Sequence, residues 1–145
     1  MKVIINENEN NKEIEIIINC KNIDDTVLKL INKLKEEDNV ITGTKNGRVY
    51  VIKLNSILYF ESVDKRTYIY IKDDVFETNL RLYEIEEKYS SRHFFRASKS
   101  TIINIAKIVV INPIIGGKIE VLLENKEKLI VSRQYVPILK AKLDY

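Results

Sequence analysis

The chain has 145 residues, of which 45% are hydrophobic and 31% charged, and carries a formal net charge of +3. That length fits one domain, or one domain with a short N-terminal extension, and the balance of apolar and charged residues excludes a disordered chain. One cysteine (Cys20) and one histidine (His93) exclude an internal disulfide framework and any Cys/His zinc cluster. No apolar run approaches the roughly 20 residues of a membrane-spanning helix. The longest, Ile102 to Ile115, is interrupted by Asn104, Lys107, Asn112 and Pro113. The N-terminus turns acidic and Asn-rich after a few residues and has no signal-like apolar core, so a cytoplasmic location is expected.

In chain order, residues 2–5 and 13–19 read as two strands around a polar Asn/Glu turn. A helix over 24–37 follows, capped by Asn22 or Asp24. Val27, Leu30, Ile31 and Leu34 recur at spacings of three and four, and Lys29, Lys33, Lys35 and Glu36 fall on the wet face. Cys20 closes the second strand-like run and is expected to be a small buried hydrophobe rather than a reactive thiol. From Val40 the texture changes to closely spaced strands. Val40 to Thr44 and Val49 to Leu54 flank Asn46-Gly47, a two-residue hairpin turn in which both positions accept positive φ. Ile57 to Ser62 and Thr67 to Lys72 flank the charged turn Val63-Asp64-Lys65-Arg66, and Val75 to Thr78 follows the turn Asp73-Asp74.

Leu82, Ile85 and Tyr89 mark a helix near 80–90. After Phe94 to Arg96 and a basic polar link comes the apolar run Ile102 to Ile111, with Pro113 and Gly116-Gly117 breaking the pattern. Ile119 to Leu123 and Leu129 to Ser132 form a hairpin around Asn125-Lys126, and Val136 to Leu143 reads as a terminal helix with Pro137 tolerated in its first turn. Many short strands with few helices predict a mainly β architecture. The division expected is 1–40 as a strand–strand–helix extension and 41–145 as the β-rich domain.

Charge is distributed unevenly. Residues 1–40 carry a net −3 and residues 41–145 a net +6. No Asp or Glu occurs between Glu87 and Glu120, a stretch that holds Lys88, Arg92, Arg96, Lys99, Lys107 and Lys118. A basic region without acidic neighbours is the footprint expected of a polyanion binder. Enzyme chemistry lacks its parts. No Gly-rich elbow surrounds a serine, and Gly116-Gly117 lacks the context of a phosphate-cradling loop. Glu86-Glu87 and Asp73-Asp74 read as a solvated helix face and a turn, and Asp24-Asp25 as helix-start chemistry. No catalytic residue, metal or cofactor is expected, and His93 reads as a partly buried structural residue.

Four motifs then occur in a fixed order: Ile57-Leu58-Tyr59-Phe60-Glu61-Ser62; Leu80-x-Leu82-Tyr83-Glu84-Ile85-Glu86; Phe94-Phe95-Arg96-Ala97-Ser98-Lys99-Ser100-Thr101-Ile102-Ile103-Asn104; and Leu129-Ile130-Val131-Ser132-Arg133-Gln134-Tyr135. Over about residues 45–143 the sequence resembles the LytTR DNA-binding domain family. The resemblance implies an elongated arrangement of small, mostly antiparallel sheets. It also implies a transcriptional regulator that meets successive major grooves of double-stranded DNA through loops rather than a recognition helix. Carried over by position, the contacts are the turn Lys65-Arg66-Thr67, the segment Ser98-Lys99-Ser100, and Arg133-Gln134. Two positions depart from the family pattern, since Ser98 stands where histidine is common and Thr67 where some relatives have histidine.

The residue types agree with that role. Lys65, Arg66, Arg96, Lys99 and Arg133 supply charge-assisted donors for phosphate oxygens, and Ser98, Ser100 and Thr67 supply shorter contacts. Arg66, Lys99 and Arg133 also suit the O6/N7 edge of guanine, and Gln134 suits adenine. Arg96 has a second reading, in which it pins its own hairpin, and Asn104 is expected to satisfy buried backbone groups. Only about 40 residues precede the first hairpin, too few for a receiver domain. The family resemblance implies a compact regulator with a small membrane protein as a regulatory partner, and a homodimer is expected on two spaced half-sites. The acidic extension is expected to serve dimerisation or partner docking. The competing reading is a β-rich interaction module for an acidic protein partner, and the two separate on whether Lys65, Lys99 and Arg133 come together.

Overall fold

The computed structural model describes residues 1–36, 39–89 and 93–145, with the side chains of 35 and 36 also outside the description. The chain divides into two compact units, residues 1–34 and 35–145.

In the first unit one helix forms, α1 (Asp25–Glu36). Asp24 begins it, its carboxylate accepting from the Val27 amide at 3.0 Å. Val27, Leu30 and Ile31 are half-buried, while Leu28 and Leu34 stay exposed. The residue at 37, expected to end the helix, lies outside the described residues. The two strands expected at 2–5 and 13–19 do not form, and their isoleucines are left in solvent, Ile5 83% and Ile14 93% exposed. Glu-Ile alternation supplies an apolar face, but an isolated two-stranded ribbon is at best marginal in water. Cys20 is exposed for the same reason, against the expectation of burial.

The second unit is mainly β. Its elements are β1 (Val40–Lys45), β2 (Arg48–Lys53), β3 (Ile57–Val63), β4 (Arg66–Ile71), β5 (Asp74–Thr78), α2 (Leu82–Tyr89), β6 (Phe94–Arg96), β7 (Thr101–Asn104), β8 (Ile108–Ile114), β9 (Lys118–Leu123), β10 (Lys128–Val131) and α3 (Val136–Leu143). Seven strands form one sheet in the order β2-β1-β5-β4-β3-β7-β6, and three form a second in the order β10-β9-β8. The strand pairs are antiparallel. Asn46 and Gly47 turn β1 into β2 with φ of 52° and 75°, as the hairpin signal predicts. The β3–β4 connection is tighter than the sequence suggested. Asp64 and Lys65 alone make it, with φ of 49° and 66°, and neither is glycine. No helix among the described residues is long and apolar enough to cross a membrane.

Burial explains the unbroken apolar runs. Strands β3 and β7 are covered on both faces. On one side Phe60 and Ile102 join Ile69, Phe76 and Phe94 beneath Leu82, Ile85 and Tyr89 of α2. On the other, Leu58, Tyr59, Phe95 and Ile103 pack against Ile119, Val121, Leu123 and Val131 of the second sheet and Val136 and Leu139 of α3. At about 25 cal/mol per Å² of apolar area, each such buried aliphatic side chain contributes roughly 1.5–3 kcal/mol.

The long run from Ile102 is two strands. Asn104, 3% exposed, accepts from the Ala106 amide at 3.0 Å and donates to the Ile57 carbonyl at 2.8 Å, which turns the chain out of the first sheet and into the second. Pro113 does not break β8, because β8 is an edge strand and proline need not donate to a neighbour there.

Tyr59 ties the two sheets. Its hydroxyl donates to Glu127 at 2.7 Å, and its ring stacks on Tyr70 with centroids 4.3 Å apart. Burial first, then the bond to and charge of Glu127, push the Tyr59 phenol well above the ordinary tyrosine range. Burial and then Glu61 raise Tyr70 in the same direction. The fold therefore favours the neutral phenols. The stability they represent is fully present below the ordinary pKa of 10.0 and is lost as pH rises above it toward the folded values. In an alkaline titration followed by tyrosinate absorbance, Tyr59→Phe should remove the latest component, one that coincides with unfolding. Loss of an early component instead would contradict this placement.

Candidate nucleic-acid interface

The three candidate contact segments come from distant parts of the chain, and two backbone hydrogen bonds join them. Two residues before the β3–β4 turn, the Ser62 amide donates to the Ser100 carbonyl at 2.8 Å. The β6–β7 turn spans 97–100, and the Ala97 carbonyl accepts from the Ser132 amide at 2.8 Å, one residue before Arg133. The registers Glu61↔Thr101 and Arg96↔Ile102 put both turns at the same end of the large sheet. Lys65, Arg66, Lys99, Ser100, Arg133 and Gln134 are exposed there, and Ser98 is half-buried.

Thr67 does not belong to this set. Strand β4 alternates, and Thr67 falls on its inward face, 4% exposed and opposite Thr78. The expectation carried over from the family pattern had Thr67 at the surface with its neighbours, whereas its side chain is enclosed.

Each turn is held from within. Arg96 spends three donors internally: Nε to the Ser98 carbonyl at 2.7 Å, Nη2 to the Lys99 carbonyl at 2.7 Å, and Nη1 to Glu86 at 3.1 Å. Its planar fork suits this two-carbonyl clamp as a lysine would not. The Ser98 hydroxyl accepts from the Ser100 amide at 3.2 Å, closing the turn once more. Arg81 Nη1 donates to the Lys65 carbonyl at 2.9 Å. Arg66 approaches Glu77 at 3.9 Å with its side chain 67% exposed, a contact too open to neutralise it. The stem of Arg133 lies on Gly117. A Cβ at that position, where φ is 74°, would come within 3.0 Å of Arg133 Cδ.

Sequence reasoning passed over Arg81, Glu86 and Gly117. Glu86 read as a wet helix face and Gly117 as a break, and neither local pattern points to a turn 10 or more residues away in sequence. The acid-free stretch is also less positive in space than in sequence, since Lys107 pairs with Glu124 at 3.1 Å and Arg96 with Glu86. Arg92, counted in that stretch, lies outside the described residues. His93 is exposed rather than partly buried, with its carbonyl accepting from the Ile105 amide at 2.6 Å.

The chain is 29% identical over 147 residues to an uncharacterized HTH-type transcriptional regulator of Staphylococcus aureus strain NCTC 8325 / PS 47, covering 99% of this chain and 98% of that protein. A counterpart in strain COL matches at the same identity and coverage. Among the described residues no two α-helices succeed one another in the chain. A solved LytTr DNA-binding domain from Bacillus cereus superposes with a TM-score of 0.70 at 24% identity, covering 73% of this chain and 97% of that one. The sequence profile of the LytTr DNA-binding domain matches residues 47–144. The chain belongs to the LytTr DNA-binding domain family.

Proposed function

We propose that this protein is a sequence-specific regulator of transcription that binds double-stranded DNA with its three joined turns and catalyses no reaction. The observation that carries the reading is the pair of backbone bonds, Ser62 to Ser100 and Ser132 to Ala97, which bring Lys65, Lys99 and Arg133 to neighbouring segments. Scattered cations would have favoured an acidic protein partner instead. Lys65, Arg66 and Lys99 act mainly on phosphates, and Arg133 with Gln134 reads base edges in the major groove. Arg96 serves the interface by shaping it, because its fork is committed to the Ser98 and Lys99 carbonyls.

The protein works as a dimer on two spaced half-sites, with residues 1–34 as the pairing element. Support comes from composition and exposure together. Residues 1–40 carry a net −3, which disfavours DNA, and the apolar side chains of the first unit remain open in the single chain, Ile4 at 68% and Ile17 at 72%. Removing residues 1–34 should convert a dimer to a monomer by sedimentation and abolish cooperative binding to a double site. An unchanged oligomeric state would refute this role.

Selection from random duplexes supplies the test of DNA recognition. With about three to four phosphates neutralised per protomer, the affinity for the selected duplex should fall with salt at a log–log slope of about −3 to −4. Arg133→Ala should weaken that duplex by roughly 1–3 kcal/mol and random DNA much less. Equal losses on both would make Arg133 a phosphate contact. No enrichment in the selection, with no binding at low ionic strength, would overturn the function.

A further inference from the structure

We infer that helix α2 is a bracket that sets the spacing of the first two DNA-facing turns, with Arg81 and Glu86 as its positioning residues; the inference rests on the DNA-binding reading above. The helix is a fixed base. Leu82, Ile85 and Tyr89 are 5%, 0% and 6% exposed beneath the large sheet, and the Tyr89 ring lies 6.4 Å from that of Phe94. Its first turn is closed from both sides, the Arg81 carbonyl accepting from the Ile85 amide at 3.1 Å and the Glu84 carboxylate accepting from the Arg81 amide at 3.1 Å.

From this base two arms reach out. Arg81 holds the Lys65 carbonyl, in a turn where Asp64 and Lys65 both take left-handed backbone without being glycine. Such positions persist only when surrounding contacts hold them. Five residues further on, about 7.5 Å along the helix axis, Glu86 holds Arg96, which in turn holds the carbonyls of Ser98 and Lys99. The two turns are thus referred to one rigid element. Through the Ser62–Ser100 and Ser132–Ala97 backbone bonds the same frame carries Arg133 and Gln134, and base readout needs side chains placed to a fraction of an ångström, so a loose frame costs discrimination before it costs phosphate contact.

Glu86 makes the inference decidable. A carboxylate beside a polyanion interface repels DNA, so electrostatics alone requires that its removal strengthen binding to every duplex. The bracket requires the opposite on the selected duplex. The experiment compares the full chain with Glu86→Ala and Arg81→Gln, using the tightest duplex from selection and a random duplex of equal length, over a range of salt. Expected is about a 3- to 10-fold loss on the selected duplex for each variant, random-duplex affinity held or slightly raised, and an unchanged salt slope. Tighter binding of Glu86→Ala to both duplexes would overturn the bracket. So would equal losses for Arg81→Gln with a slope smaller by about one, the mark of a phosphate contact.

Amide order parameters measured without DNA provide the second arm. Residues 64–66 should loosen in Arg81→Gln and residues 98–100 in Glu86→Ala while β3 and β7 stay rigid. Turns that remain as ordered as in the parent would overturn the bracket even with DNA binding intact. A parent chain that ignores duplex DNA would remove the functional reading, with the order parameters still deciding the bracket.

Discussion

Strands β3 and β7 are apolar on both faces, and most of the second unit follows from the need to cover them twice. A strand with one wet face alternates, as β4 and β9 do. Leu58-Tyr59-Phe60 and Ile102-Ile103 do not, so α2 with the outer strands covers one side and the small sheet with α3 covers the other. The pair also sets where the turns fall. Antiparallel pairing of β3 with β7 sends the end of one strand and the start of the other to the same edge, and their connections become neighbours there. A packing constraint deep in the core thereby assembles the surface proposed to meet DNA.

The interface is a set of turns made rigid by groups that do not belong to it. Arg96 spends itself on the carbonyls of the turn beside it, and Gly117 yields room for the stem of Arg133. Charge at such a surface therefore has two jobs, attraction and shaping. Counting basic residues mixes the two, as the pairing of Lys107 and Arg96 with glutamates shows. Among the exposed cations, Lys65, Lys99 and Arg133 stand at the turns themselves, where a duplex can reach them.

Much of the fold was legible in the sequence because short-range chemistry dictated it. The Asn46-Gly47 hairpin, the Leu82–Tyr89 face, the Asp24 cap and the helix Val136–Leu143 each follow from a local pattern. What failed depended on the environment beyond the pattern. Residues 13–19 have the alternation of a strand but no third layer to bury it. Pro113 reads as a break until β8 is known to be an edge. Thr67 lines up with a contact position in relatives, yet the two-residue turn at Asp64-Lys65 sets a register that points it inward. Nothing local pointed Arg81 and Glu86 to their partners, which are 16 and 10 residues away in sequence and come close only in the folded sheet.

The account stands on three turns acting as one surface, and titration of the isotopically labelled chain with a duplex, followed by amide chemical shifts, tests that most directly. Perturbations should concentrate at residues 63–66, 97–101 and 132–134 and move together with one apparent affinity. Shifts confined to other parts of the chain, or the three segments responding with separate affinities, would contradict it.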